Sequence, residues 1–248
     1  MKFNDFPISV CMASYNGQKF IKNQIESIIS QFSHPDDQLI IVDDCSKDNT
    51  VHIIKEIISP NIFLIRNKEN IGFVKTFEKS IKYAKNPLIF LSDQDDIWMK
   101  HKVLVYKTAF AKGNEIDLFF SDHFLIDEDS KIIGKTFLDK QMPLKISIPI
   151  LNTRCHGPGI AFSQKAKNII LPFPDRIPSH DKWIAIILSA LVKVQLINVP
   201  CQFYRIHKSQ VCSIGTKSRR SLNIILKSRF YMMFSIFKRT LKVLFFIN

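Results

Sequence analysis

Residues 88–98 read LIFLSDQDDIW, four large apolar side chains halted by Ser92-Asp93-Gln94-Asp95-Asp96. A short unbroken apolar run suits a strand buried on both faces. Two upstream runs stop in the same manner. Ile8–Met12 ends at Ser14-Tyr15-Asn16-Gly17, and Leu39–Val42 ends at Asp43-Asp44-Cys45-Ser46. Ile62–Ile65 is a further strand. Between the strands, Ile21, Ile25, Ile28, Ile29 and Phe32 predict a helix over Lys19–Gln31. Val51, Ile54, Ile57 and Ile58 predict another, with Asp48 or Asn49 as N-cap, and Phe73, Phe77, Ile81 and Ala84 a third. Strands separated by helices of this length imply right-handed βαβ units and an α/β fold, a Rossmann-like, mainly parallel sheet flanked by helices. Ligands of such sheets bind beyond the carboxyl ends of the strands, where the polar clusters stand. Asp and Asn also suit turns and caps, which accounts for one cluster on its own. Two acidic clusters at equivalent strand ends point to a site.

Past Asp96 the pattern is less regular. Val103, Tyr106 and Phe110 predict a helix, and Leu118–Ser121 and Phe124–Ile126 two short strands before a turn at Asp127-Glu128-Asp129-Ser130 and a strand-like Lys131–Ile133. Thr136–Thr153 has little periodicity and reads as an excursion or loop. Ile160–Ser163 is strand-like and a helix starts at Gln164. Ser179 can cap a further helix opening with His180-Asp181-Lys182-Trp183, and Val194–Val199 is a last strand. The sequence holds no internal repeat, no P-loop and no G-x-G-x-x-G.

The 248 residues are 46% hydrophobic, 11% aromatic and 23% charged, which suits one sizeable globular core and excludes disorder, collagen and coiled coil. Five cysteines without a C-x-x-C pair argue against a disulfide framework or zinc site and for a reducing compartment. The N-terminus runs into Asn4, Asp5 and Pro7 rather than an apolar leader, so a cytoplasmic location is expected. The net charge of +13 is uneven, because all 22 acidic residues lie at or before Asp181. Residues 1–215 therefore read as a balanced catalytic domain, and 216–248 as a basic amphipathic helical tail.

Asp93 and Asp95 carry the sharpest chemical signal. Two carboxylates beside a buried strand are costly unless a positive charge neutralises them, and a hard divalent cation completed by a diphosphate is a natural partner. The alternative is a capped helix start, with Asp96 preceding Ile97-Trp98.

The segments ISVCMASYNGQKFIKNQIESI, IIVDDCSKDNT, NIGFVKTFEKSI, LIFLSDQDDIW, HDKW and YRIH follow one another over roughly residues 7–210. In this order they resemble glycosyltransferase family 2, the inverting sugar-nucleotide transferases of GT-A fold. The SDQDDIW form is similar to the branch with rhamnosyl- and galactosyltransferases of bacterial surface polysaccharides. The resemblance implies that Ala13, Ser14 and Tyr15 line the base and ribose, and that Ala13 lacks the hydroxyl of relatives with Thr there. It implies that Asp44 accepts from the base with support from Asp43, and that Asn70 and Gly72 border the nucleotide. Asp93, with Gln94 beside it, and Asp95 would form the D-x-D element, Asp95 holding a Mn2+ or Mg2+ ion. Asp181 would be the catalytic base, with His180 where relatives often carry an acid. The implied partners are a UDP- or dTDP-sugar donor and a glycan or lipid-linked glycan acceptor.

One carboxylate suffices to deprotonate an acceptor hydroxyl, and direct displacement then inverts the anomeric centre. His156 and His207 are candidates for acceptor or diphosphate contacts, or ordinary histidines. Gln202 and Arg205 keep the Q-x-x-R spacing of processive members, but Ile206 replaces the Trp, so addition of one sugar per encounter is expected. A nucleotidyltransferase would show a Gly-rich basic loop after the first strand, which Ser14–Gln18 lacks. A binding protein with a decayed site remains the other alternative.

From Lys217 onward eight basic residues, Lys217, Arg219, Arg220, Lys227, Arg229, Lys238, Arg239 and Lys242, alternate with Phe, Leu and Met and no acid. This predicts a peripheral attachment to an anionic membrane surface, the alternative being a terminal helix packed on the domain. No nucleic-acid motif accompanies the charge, so a nucleic-acid partner is not expected.

Overall fold

The computed structural model describes residues 6–113, 115–134, 159–207 and 222–246, with side chains in the last segment at 230–243 and 245. The excursion at Thr136–Thr153 and His156 lie outside the described residues.

The first half alternates as its periodicities require: β1 (Ile8–Ser14), α1 (Ile21–Ile29), β2 (Gln38–Asp43), α2 (Thr50–Glu56), β3 (Ile62–Arg66), α3 (Phe73–Tyr83) and β4 (Leu88–Ser92). These four strands pair in parallel, in the order β3-β2-β1-β4. Along them successive side chains point to opposite faces. Val10, Met12, Leu39, Ile41, Leu88 and Phe90 enter one core with α1, while Cys11, Ile40, Ile89 and Leu91 enter a second with α3. The sheet is thus the middle of three layers.

The second half comprises β5 (Ile97–Trp98), α4 (Lys102–Lys112), β6 (Ile116–Ile126), β7 (Ile132–Gly134), β8 (Ile160–Ser163), α5 (Gln164–Ile170), α6 (His180–Leu191), β9 (Lys193–Arg205) and α7 (Leu222–Phe246). Here the sheet becomes mixed. β8 lies antiparallel between β4 and β6, β9 runs parallel to β6, and β5 closes the edge antiparallel to β9.

Three local expectations are corrected. The segments 118–121 and 124–126 are one strand, because Ser121-Asp122-His123 passes through as an irregularity in register with β9. Asp122 and His123 are buried despite their polarity. Asn49 and Ser179 occupy N-cap positions without side-chain capping bonds; Asp48 Oδ1 instead accepts from Thr50 N at 3.0 Å. Ile97-Trp98 is a strand rather than a helix start, so Asp96 caps nothing there.

The inner face of α7 belongs to the second core. Met232 is buried against it with Ile236 and Val243 alongside. Arg239 donates to the carbonyls of Ile169, Leu171 and Pro172 at 2.6–2.7 Å and lies 5.5 Å from the Trp183 ring centroid. A guanidinium there satisfies carbonyls left open at the end of α5.

Candidate active site

β1 changes partners at the centre of the parallel half, between β2 on one side and β4 on the other. Residues just past the carboxyl ends of these three strands therefore converge on one crevice. Ser14 is opposite Asp43 in register, and Met12 is opposite Ser92. Ser14, Tyr15, Asp43, Asp44, Asp93, Gln94 and Asp95 all belong to this rim, with Ala13 half-buried one residue below it.

Two straps set its shape. Asp43 is fully buried and accepts from Ser14 Oγ at 3.3 Å, from Ser46 N at 3.0 Å and from Ser46 Oγ. It thus serves the backbone around the crevice. Gln94 forms a reciprocal amide pair with Tyr15, its Oε1 accepting from Tyr15 N at 2.9 Å and its Nε2 donating to Tyr15 O at 3.0 Å. Gly17 makes room for it, because a Cβ there would sit 2.2 Å from Gln94 Oε1.

Asp44 works on the opposite wall. Its Oδ1 accepts from Asn67 Nδ2 and Ile71 N, and its Oδ2 from Gly72 N, each at 2.9 Å. A carboxylate has about four acceptor sites, and the protein fills three of those on Asp44. Gly72 leads into α3 with φ +84, a conformation other residues rarely adopt. Asn70 is exposed at the edge of this loop.

The acidic loop after β4 holds the densest charge. One ligand atom from each of Asp93, Asp95 and Asp96 lies within 4.8 Å of the others. Burial, then the charges of Asp95 and Asp181, push Asp93 well above the ordinary carboxylate range, and Lys102 works in the opposite sense. Burial and the charges of Asp95 and Asp93 likewise raise Asp96. Asp96 Oδ1 accepts from Arg205 N at 3.0 Å, while its buried Oδ2 has no hydrogen-bond partner. Asp95 Oδ2 lies 2.8 Å from His207 Nε2. Hard oxygens, one imidazole and an unsatisfied buried carboxylate oxygen suit a divalent cation such as Mn2+ or Mg2+.

Basic residues back this loop. Lys102 is fully buried, donates to Gln202 Oε1 and lies 4.2 Å from the Trp98 ring centroid. Burial lowers it to about 7, against the pull of Cys201, Asp96 and Asp93. Arg205 Nε donates to Asp95 O at 2.8 Å, and its Nη1 reaches Asp127 O, Glu128 O and Ser130 Oγ. From α1, Gln24 Nε2 donates to Ser92 Oγ and Asp93 O.

Asp181 lies in the first turn of α6, near enough for its charge to raise Asp93. Its Oδ1 accepts from Lys182 N at 2.7 Å. The preceding His180 is buried, stacked on Phe77 at 3.8 Å, with no partner on either ring nitrogen. Burial pushes its imidazole from 6.5 to about 4, Asp181 acting in the other direction. The unfolded chain therefore takes up a proton that the folded one refuses, and this site costs stability as pH falls from 6.5 towards 4. His180→Phe should flatten that limb of the pH–stability curve in denaturant melts. An unchanged slope would show that His180 charges within the fold.

The site brings together more than the motif positions. Lys102 and Gln24 were not expected, and Asp96 belonged to the acidic cluster but was given no ligand role. Asp96 read instead as a possible cap, and a lysine on an apolar helix carries no signal of its partners. His207, one of two open histidines, sits two residues past Arg205 at the end of β9.

The three-layer fold, with a carboxylate cluster at the switch point of its parallel half and a mixed second half, agrees with the GT-A glycosyltransferase that the sequence resemblance implies. The chain belongs to the family described as glycosyl transferase family 2, whose sequence pattern matches residues 9–167. It is 26% identical over 213 residues to the UDP-Glc:alpha-D-GlcNAc-diphosphoundecaprenol beta-1,3-glucosyltransferase WfgD of Escherichia coli, covering 85% of this chain and 81% of that protein. It is 40% identical over 122 residues to the dTDP-rhamnosyl transferase RfbG of Shigella flexneri, covering 44% of this chain and 42% of that one. Among solved structures, S. aureus TarS 1-349 in complex with UDP-GlcNAc superposes with a TM-score of 0.71 at 17% identity, over 94% of this chain and 66% of that one. The mannosyltransferase PcManGT from Pyrobaculum calidifontis, in complex with GDP-Man and Mn2+, gives 0.63 at 12% identity, over 96% and 65%.

Proposed function

We propose that the chain is an inverting, metal-dependent hexosyltransferase. It moves one sugar from a UDP- or dTDP-sugar to a lipid-linked glycan during assembly of a bacterial surface polysaccharide, at the cytoplasmic face of the membrane. The observation that carries this reading is the convergence of Asp93, Asp95 and Asp96, with Asp181 close by, at the carboxyl ends of β1, β2 and β4. Two relatives support the lipid-linked acceptor, since they are glucosyltransferases acting on a diphosphoundecaprenol-linked GlcNAc.

In this reading Ala13, Ser14, Tyr15 and Asp44 line the base and ribose, with Asn70 and Gly72 at the rim. Asp43 and Gln94 hold those loops in register. Asp93, Asp95, Asp96 and His207 would surround Mn2+ or Mg2+, which supplies charge neutralisation to the departing diphosphate. Asp181 accepts the proton of the acceptor hydroxyl as its oxygen attacks the anomeric carbon from the face opposite the leaving group. The new C–O bond forms while the bond to the diphosphate breaks, which inverts the centre without a second nucleophile. His180 is poorly suited to share this duty, because it is buried and burial lowers its affinity for a proton.

Release of nucleoside diphosphate from a panel of UDP- and dTDP-sugars, with a GlcNAc-diphospholipid acceptor, tests the reading. Absence of turnover across the panel would overturn this donor and acceptor assignment. Asp44→Ala should raise the donor KM by about tenfold, the scale of a lost charged hydrogen bond, with a smaller effect on kcat. An unchanged donor KM would remove Asp44 from the nucleotide pocket.

A further inference from the structure

Helix α7 has two apolar faces, and among the described residues only one is covered. Met232, Ser235, Ile236, Arg239 and Val243 recur every three or four residues on the face packed against α5 and α6. Phe230, Phe234, Phe237, Leu241 and Phe245 recur with the same spacing on the other face, and are 74%, 48%, 61%, 38% and 72% exposed. At 1.5 Å per residue this aromatic stripe runs about 22 Å. A contiguous apolar patch of that kind marks a surface that meets something other than water.

Charge selects the occupant. Lys238 and Lys242 are exposed beside the stripe, and Lys238 Nζ lies 4.8 Å from the Phe234 ring centroid. No acidic residue follows Asp181 anywhere in the chain. A second copy of the helix would meet these lysines with lysines, whereas an anionic lipid surface neutralises them and receives the rings between its headgroups. Among the described residues no helix is long and apolar enough to cross a membrane. The geometry therefore indicates lying on a bilayer rather than spanning it.

We propose that the Phe230–Phe245 face of α7 is the membrane-docking surface, and that its partner is an anionic bilayer. Because Arg239 and Met232 bind the same helix to α5 and the second core, docking fixes the attitude of the catalytic domain instead of leaving it on a tether. The purpose rests on the lipid-linked acceptor proposed above, but vesicle binding needs no turnover, so the two ideas fail separately.

The test is flotation of the full chain with phosphatidylcholine vesicles, with and without phosphatidylglycerol. The protein should float with the anionic vesicles, partly detach in high salt, and float poorly with phosphatidylcholine alone. Phe234→Ser with Phe237→Ser should weaken binding by about tenfold or more, leaving melting temperature and donor turnover unchanged because both rings are exposed. Lys238→Gln and Lys242→Gln should each cost about fivefold at low salt. Failure to float with anionic vesicles would overturn the proposal, as would binding indifferent to the two phenylalanines. A solution dimer dissolved by the same double substitution would assign the face to a second copy and overturn it equally.

Discussion

Asp181→Asn should lower turnover by about 10²-fold or more, the usual worth of a positioned general base, with the donor KM nearly unchanged. The substitution keeps size and a hydrogen-bonding oxygen, and the Lys182 backbone amide can still donate to it. What disappears is the capacity to hold a proton at neutral pH. The Asp181 charge also helps to raise Asp93, so its removal should bring the Asp93 carboxyl back towards its ordinary range. Steady-state kinetics measures both turnover and the donor KM. Turnover within a few-fold of wild type would show that another group takes the proton, and His180 is a weak substitute because burial lowers its affinity for a proton.

Asp95→Asn should be the most damaging change in the acidic loop. Asp95 faces His207 at 2.8 Å and its backbone carbonyl is held by Arg205, so the side chain is fixed in place by its neighbours. If Asp95 is the main anchor of a divalent ion, its loss removes several kcal/mol of leaving-group stabilisation, or about 10³-fold in turnover. EDTA should silence the wild type to a similar degree, and added Mn2+ or Mg2+ should restore it. Thermal melting of the variant should remain close to wild type, because the carboxylate is partly exposed. Full wild-type activity in EDTA would sink the metal assignment.

The parallel half was legible because its physics is local. Val, Ile and Leu runs in β1, β2 and β4 end abruptly on Ser14, Asp43 and Asp93, and such endings mark both strand and crevice. The second half depends on distant partners. β6 passes through Ser121-Asp122-His123 in pairing with β9, which leaves Asp122 and His123 buried, so polarity alone reads as a break. Asp96 looks like a helix cap until Ile97-Trp98 is found paired with Gln202 and Phe203 in a strand. His207 meets Asp95 across 112 positions, a contact that no spacing rule announces. In α7 the apolar residues on opposite faces are of similar kind, so composition alone did not distinguish the covered side from the exposed one.

Arg205 ties the backbone of Asp95 to the turn at Asp127–Ser130, while His207, two residues on, meets the Asp95 carboxylate. This makes a seam between the halves of the sheet, with practical weight for engineering. A chimera that swaps the mixed half for that of a relative would import a new turn and a new β9 together. Were only the turn exchanged for one of different backbone shape, the guanidinium that holds the Asp95 carbonyl would lose its partners at Asp127, Glu128 and Ser130. The natural cut for recombination is therefore after Trp98, with β6 to His207 carried over as one inherited block.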